Sequence, residues 1–232
     1  MKISVVIPVY NEKNYILEIL KKVNIQKKNF NLEIIVVDDG SSDGTKEILQ
    51  SSPELYDKLI TYGKNFGKGY ALRKGFSESE GEIILIQDAD LEYDPNEYDE
   101  LINPFVTKNA DVVLGSRFKG DRPERLLNFH HRIANFIITF IVNIFTNINY
   151  SDVETCYKVF KKEHLKNFSL KENGFSIEIE LIMKLSKLKL RIFEVGISYS
   201  GRTYEQGKKI KLRDAFGAIY SIIKYKKIKN WF

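Results

Sequence analysis

Three apolar runs in the amino-terminal part of the chain break off abruptly in polar clusters. Ile3–Val9 runs into Tyr10-Asn11-Glu12, residues 33–37 into Asp38-Asp39-Gly40-Ser41, and residues 82–87 into Asp88-Ala89-Asp90. A near-continuous run of branched aliphatic residues marks a strand covered on both faces, the usual state of a strand in a parallel sheet. Helical spacing fills the intervals. Residues 11–26 place Tyr15, Ile16, Ile19, Leu20 and Val23 on one face, residues 69–79 and 97–108 read as helix, and Ser42 or Asp43 can cap a helix through Leu49. A weaker strand falls at residues 58–62 and a further one at 111–115. This alternation dictates an α/β domain with a mostly parallel sheet flanked by helices.

The second half changes character. Residues 133–148 form a long apolar helix, 157–160 a strand, 177–188 an amphipathic helix, 191–197 a strand and 212–228 a basic amphipathic helix. No linker rich in Pro, Gly or Ser intervenes and no repeat is visible, so residues 1–211 read as one domain and 212–232 as a carboxy-terminal helix attached to it. The apolar stretch is too short to cross a bilayer and is interrupted by Asn135, Thr139, Asn143 and Asn147. The amino terminus lacks the long apolar segment of a secretion signal. A chain with 43% hydrophobic and 12% aromatic residues is not disordered. A single cysteine, Cys156, excludes a disulfide framework and suggests a reducing compartment, and with three histidines (His130, His131, His164) it offers no structural zinc site. The expectation is a cytoplasmic protein, free or peripheral on the cytoplasmic face of a membrane.

In open α/β sheets ligands bind beyond the carboxyl ends of the strands. Asp and Asn favour turns anyway, so one polar cluster means little, but three at one sheet edge would converge on one crevice. Asp88-Ala89-Asp90 is the sharpest of them. If the strand continues extended, both carboxylates point to one side and form a hard-oxygen site for Mg²⁺ or Mn²⁺. Asn65-Phe66-Gly67-Lys68-Gly69 opens a helix, and its amides and Lys68 could meet a phosphate, although no Walker-type phosphate loop or G-x-S-x-G nucleophile motif is present. Arg117 ends a strand and should reach the crevice. Arg132 opens the apolar helix, and Arg202, Lys208 and Lys209 occupy a Gly-containing loop. Cations converging near a metal site suit a second anionic substrate; scattered over the surface they would be solvated charges.

Taken in order, Val6-Ile7-Pro8-Val9-Tyr10-Asn11-Glu12, Val36-Val37-Asp38-Asp39-Gly40-Ser41-Ser42-Asp43-Gly44-Thr45, Asn65-x-Gly67-Lys68-Gly69-x-Ala71 and Asp88-Ala89-Asp90 resemble family 2 glycosyltransferases of the Rossmann-like GT-A fold. Gly115-Ser116-Arg117, Asp152-x-x-Thr155-Cys156-Tyr157-Lys158 and Gly201-Arg202-Thr203-Tyr204-x-x-Gly207-Lys208 resemble the polyprenyl-phosphate sugar transferases within it, the group typified by dolichyl-phosphate mannose synthase. The resemblance implies a donor site for a nucleotide-diphosphate sugar, of GDP-mannose or UDP-glucose type. Pro8, Tyr10, Asn11, Glu12 and Asp39 would hold base and ribose, with Lys68 and Ala89 beside them. Asp90 would bind the metal, with Asp88 near ribose or metal. It also implies an acceptor, the phosphate of a polyprenyl phosphate, held by Arg117, Arg132, Arg202 and Lys208. Asp88, Asp90 and Arg117 would then carry catalysis, a single in-line displacement with inversion. A phosphate monoester is largely ionised at neutral pH and needs little general-base help. The alternative is a family 2 enzyme acting on a saccharide hydroxyl in cell-surface polysaccharide synthesis, which needs a base, with Glu154 or Asp152 the candidates.

The net charge of +5 is unevenly spread: residues 207–232 carry eight Lys or Arg and one Asp, a net +7, which leaves −2 for the rest. Basic and aromatic residues do not interleave on any recognisable nucleic-acid-binding element, so nucleic acid is not an expected partner. A cationic helix with Leu212, Ala215, Phe216, Ile219, Ile222 and Ile223 on one face, followed by Lys224, Lys226, Lys227, Lys229, Trp231 and Phe232, suits either an anionic membrane surface or a helix packed on its own domain with a solvated basic end. Oligomeric state is open, with a homo-oligomer among the options.

Overall fold

The apolar runs form the centre of a seven-stranded sheet. The computed structural model describes residues 1–120, 125, 129–203, 205–209 and 212–226. The strands are β1 Ile3–Val9, β2 Leu32–Asp38, β3 Lys58–Thr61, β4 Ile83–Ile86, β5 Val112–Ser116, β6 Lys158–Lys161 and β7 Ile192–Gly196, in the spatial order β3-β2-β1-β4-β6-β5-β7. Every residue of β1, β2 and β4 is buried, as a strand covered on both faces requires. The covering helices are α1 Ile16–Ile25, α2 Thr45–Gln50, α3 Lys68–Glu78, α4 Tyr98–Thr107, α5 Phe129–Thr146, α6 Ile177–Leu185 and α7 Leu212–Tyr225. Among the described residues β6 alone runs antiparallel, and it does so to both β4 and β5. The other six strands therefore share one carboxyl edge. The amino end of β6 arrives at that same edge, so the segment before it, residues 149–157, faces whatever binds there.

Two helix starts differ from the periodicity by four residues or more. The helix expected from residue 11 starts at Ile16, because Asn11 adopts φ 50° and its side chain is committed elsewhere. The Asn11 amide donates to Ser41 Oγ at 2.9 Å and its Oδ1 accepts from the Ser42 amide at 2.8 Å, which ties the end of β1 to the end of β2. The helix expected over 133–148 starts earlier, at Phe129.

The helix α7 packs on α5 and α6. Its single apolar stripe is split between two environments. Ala218, Ile222 and Tyr225 are buried against the domain, whereas Phe216, Tyr220 and Ile223 face outward. Phe129, Ile133, Phe136, Ile137, Phe140 and Ile144 of α5 are likewise exposed. Tyr204, Lys227, Lys229, Trp231 and Phe232, singled out in the sequence, lie outside the described residues, as does the side chain of Leu212.

Candidate active site

A cleft of about 380 Å³ opens at the carboxyl edge of the sheet. Pro8, Tyr10 and Glu12 line it from the end of β1, Asp39 from the end of β2, Lys68 from the start of α3, and Asp88, Ala89 and Asp90 from the turn after β4. Asn11, expected with them, is not among the lining residues; it serves as the tie between strand ends. Asp39 is the acceptor that fastens the 65–69 loop. Its carboxylate takes the Phe66 amide at 3.0 Å and the Gly67 amide at 2.6 Å. Burial pushes its carboxyl upward and these amides hold it back. Gly67 has φ 102°, and a Cβ there would lie 2.4 Å from the Asn173 carbonyl oxygen, so only glycine lets the loop lie this close. The amides of Gly69 and Tyr70 donate to that carbonyl at 2.6 and 3.2 Å. Three of the amides that the sequence offered to a phosphate, those of Phe66, Gly67 and Gly69, are therefore consumed inside the protein. The group that remains is the Lys68 ammonium, 2.7 Å from Asp88 Oδ1 and 2.9 Å from Glu178 Oε1.

The two carboxylates of Asp88-Ala89-Asp90 do not sit on an extended strand. β4 ends at Ile86, the chain bends from Ala89 on, and the carboxylates find different partners. Burial works to raise the Asp88 carboxyl, but the Lys68 ammonium outweighs it and holds Asp88 low. Asp90 is pushed up by burial and by the neighbouring Asp88 and Glu92. Its Oδ2 lies 2.6 Å from Arg202 Nη2. Arg202 also reaches Glu12 Oε2 at 2.9 Å and Glu92 Oε1 at 3.2 Å. Arg202, expected from sequence at an acceptor phosphate, thus stands in the cleft with the strand-end residues, held by three carboxylates. Lys209 joins it, 2.5 Å from Glu12 Oε1, and donates to the Tyr10 carbonyl. The donor set suits a hard divalent cation, because such an ion would keep the crowded Asp90 ionised. Among the described residues no group of three or more metal-binding side chains converges, so substrate oxygens and water would complete the shell.

A second cavity of about 130 Å³ adjoins the cleft, and Lys68, Asp88, Glu92, Phe175 and Lys208 line both. Arg117 enters it from the end of β5, held by Asp152 through Nε at 2.7 Å and Nη2 at 2.8 Å, with its guanidinium 5.1 Å from the centre of the Tyr199 ring. Lys208 Nζ stands 3.3 Å from His131 Nδ1. Burial lowers Lys208, and burial with the nearby Lys208 charge lowers His131. Arg132, the neighbour of His131 expected at the acceptor phosphate, is exposed and holds its guanidinium 5.1 Å from the centre of the Phe118 ring. His131 lines the cavity and Arg132 does not, since one position along a helix turns a side chain by about 100°. Reasoning from the sequence also missed Glu178, which bridges Lys68 and the fully buried Lys158, the latter at 2.7 Å. A glutamate set among the apolar residues of α6 was the available signal. A larger cavity, about 790 Å³, lies near the amino end of β4 beside Met1, Phe76 and Leu165 and holds none of the expected site residues.

The family described as Glycosyl transferase family 2 matches residues 4–168. A dolichol-phosphate mannosyltransferase from Pyrococcus furiosus is 31% identical over 215 residues, covering 90% of this chain and 61% of that protein. A low-salt glycan biosynthesis hexosyltransferase from Haloferax volcanii is 29% identical over 205 residues, covering 88% of this chain and 49% of that protein. The chain thus spans less than two thirds of the length of these two relatives. Among solved structures, glucosyl-3-phosphoglycerate synthase from Mycobacterium tuberculosis, in complex with Mn²⁺, UDP and glucosyl-3-phosphoglycerate, superposes with a TM-score of 0.76 at 18% identity, over 99% of this chain and 81% of that one. That likeness establishes a shared GT-A fold, and the match over most of the sequence establishes the rest: the chain belongs to glycosyl transferase family 2.

Proposed function

We propose that the protein transfers a hexose from a nucleoside-diphosphate sugar to a polyprenyl phosphate, by inverting displacement, at a membrane surface. The observation that carries this reading is the pair of adjoining cavities. One is lined by carboxylates and the polar strand ends, the other by the cations Arg117 and Lys208, and Lys68 and Asp88 stand in the wall between them. Pro8, Tyr10, Glu12 and Asp39 would cradle the nucleoside. Asp88 and Asp90 would hold a divalent ion, Mg²⁺ or Mn²⁺, which when bound supplies charge neutralisation at the leaving diphosphate. Arg117, fixed by Asp152, and Lys208 would orient the attacking phosphate, whose approach to a diphosphate is otherwise opposed by about 4 kcal/mol for unit charges 4 Å apart at an effective dielectric of 20. The name of the Pyrococcus relative supports a lipid-phosphate acceptor, and the ligands of the mycobacterial structure support a metal and a nucleotide.

The cavity wall favours a lipid as well. His131, Ala134 and Ile138 of α5 and Ala215 and Ala218 of α7 line the second cavity, and the outward faces of the same two helices are apolar. Among the described residues no helix is long and apolar enough to cross a membrane. An interfacial contact would present the acceptor between α5 and α7. One observation favours the other reading, transfer to a saccharide hydroxyl: Glu154, a carboxyl at the second cavity whose burial pushes it up to about 7, the range of a general base.

The test is a matrix of UDP- and GDP-sugars against farnesyl phosphate with Mg²⁺ or Mn²⁺, read by mass spectrometry. A sugar-phosphate-polyprenyl product is expected. Asp90→Ala should abolish it with the thermal transition retained, and near-wild-type turnover in that variant would sink the donor-site assignment.

A further inference from the structure

Among the described residues, Glu154 is the titratable side chain of the second cavity for which no hydrogen bond or ion pair forms. Its loop, between α5 and β6, is otherwise tied down. Asp152 is taken by Arg117 and Asn135, and the Cys156 amide donates to the Tyr93 hydroxyl at 3.1 Å. The charges acting on Glu154 are Lys158 of β6, Glu178 of α6, Arg117 beyond β5 and Asp152 of its own loop. Lys68, Asp88, Glu92, His131, Tyr199 and Lys208 are the cavity's other ionisable groups along with Tyr93 and Cys156. Burial raises the carboxyl and Lys158 opposes the rise. A phosphate dianion entering this cavity adds negative charge, which drives the carboxyl further toward its acid form. A carboxylic acid donates a hydrogen bond, whereas a carboxylate only accepts.

Resting on the reading that the acceptor is a phosphate monoester, we propose that Glu154 binds the acceptor as a neutral acid, donating its O–H to a phosphate oxygen that does not attack. Arg117 and Lys208 supply charge, and Glu154 supplies a donor that leaves no negative group behind. The proton stays on Glu154 throughout the displacement. It is taken from solvent, or from the phosphate monoanion, when the acceptor binds, and returned when product leaves. A hydroxyl acceptor would demand the opposite, the ionised form as base, so one side chain separates the two acceptor classes.

Glu154→Ala and Glu154→Gln, compared with wild type on farnesyl phosphate and whichever nucleotide-sugar wild type accepts, test this. Ala should raise the acceptor KM at least tenfold with little change in donor KM. Gln, which donates a similar hydrogen bond with no proton to lose, should recover most of that acceptor KM. Wild-type acceptor KM should climb as pH rises from 7 to 9 relative to the Gln variant. A hundredfold loss of kcat in Gln, with its thermal transition intact, would make Glu154 a base and overturn the proposal. An unchanged acceptor KM in Ala would overturn it too. If wild type transfers to no polyprenyl phosphate, the acceptor reading itself falls and takes this role with it; if wild type transfers and Gln is dead, only the role of Glu154 falls.

Discussion

Asp152 accepts four hydrogen bonds, one from the Arg117 amide, two from its guanidinium and one from Asn135, and it has no exposed surface. A carboxylate so engaged is a poor base; it is the seat of Arg117. Asp152→Ala would strand a buried guanidinium, at a cost of about 3–5 kcal/mol, measurable as a lower urea midpoint, and should also weaken acceptor binding. Two residues on, Glu154 is the reverse case. Its carboxyl rises from the reference 4.5 to about 7 on folding, so the stability it contributes is complete below about 4.5 and is lost as pH climbs through 7. Glu154→Gln should therefore be more stable than wild type at pH 8, by about 1–3 kcal/mol, with the gap closing toward pH 5 in paired urea titrations. The sequence could name Asp152 and Glu154 but not tell them apart, because the difference lies in Arg117, thirty-five positions away from Asp152 along the chain. The same limit hid the carboxylate partners of Arg202. Its partners Glu12, Asp90 and Glu92 come from the ends of two other strands, and nothing local to Arg202 announces them.

At the scale of elements, hydrophobic period and one capping signal located the seven strands and seven α-helices found among the described residues, since burial on one or both faces writes itself directly into spacing. Helix starts were less legible where a side chain had another task, as at Asn11. Which way a helix faces was not legible at all in α7, whose stripe reads as one surface yet sends Ile222 inward and Phe216 outward. Close approach was equally hidden. A Cβ on Gly75 would stand 2.2 Å from Val6 Cγ1, so α3 lies on β1 with no room for a methyl group. Gly75→Ala should cost about 1–3 kcal/mol despite its better helix propensity, read as a fall in Tm. The opposite outcome is expected on α5. Phe136 and Phe140 are 69% and 55% exposed, so changing both to Ser should move stability by no more than about 0.5 kcal/mol per site, while reducing co-sedimentation with lipid vesicles if this face meets a membrane.

Across the whole molecule, the cationic excess is concentrated at one end: net +7 in residues 207–232 and −2 elsewhere. Lys208 and Lys209 of that segment are drawn into the two cavities, and Lys224 is paired with Glu172 at 2.7 Å. The charge of the described part of this segment is thus divided between the two cavities and the protein surface. Binding to vesicles of anionic lipid should exceed binding to zwitterionic ones and should fall between 50 and 500 mM salt, roughly as the Debye length shrinks from above 10 Å toward 4 Å; equal binding to both lipids would remove the electrostatic part of the contact. Strand direction was the one large-scale feature that spacing could not supply. A four-residue strand such as β6 carries no mark of which way it runs or between which neighbours it fits. Its position has a consequence for biosynthesis. The chain leaves the ribosome amino end first, and until Lys158–Lys161 emerges the inner flanks of β4 and β5 have no hydrogen-bonding partner in the finished sheet. For that interval the nascent chain exposes one open flank of β4 and both flanks of β5, because β7, the other neighbour of β5, is made later still. The late-arriving β6 joins β5 to the edge of β4, β7 then covers the far flank of β5, and the interval before them is the window in which a chaperone would matter most.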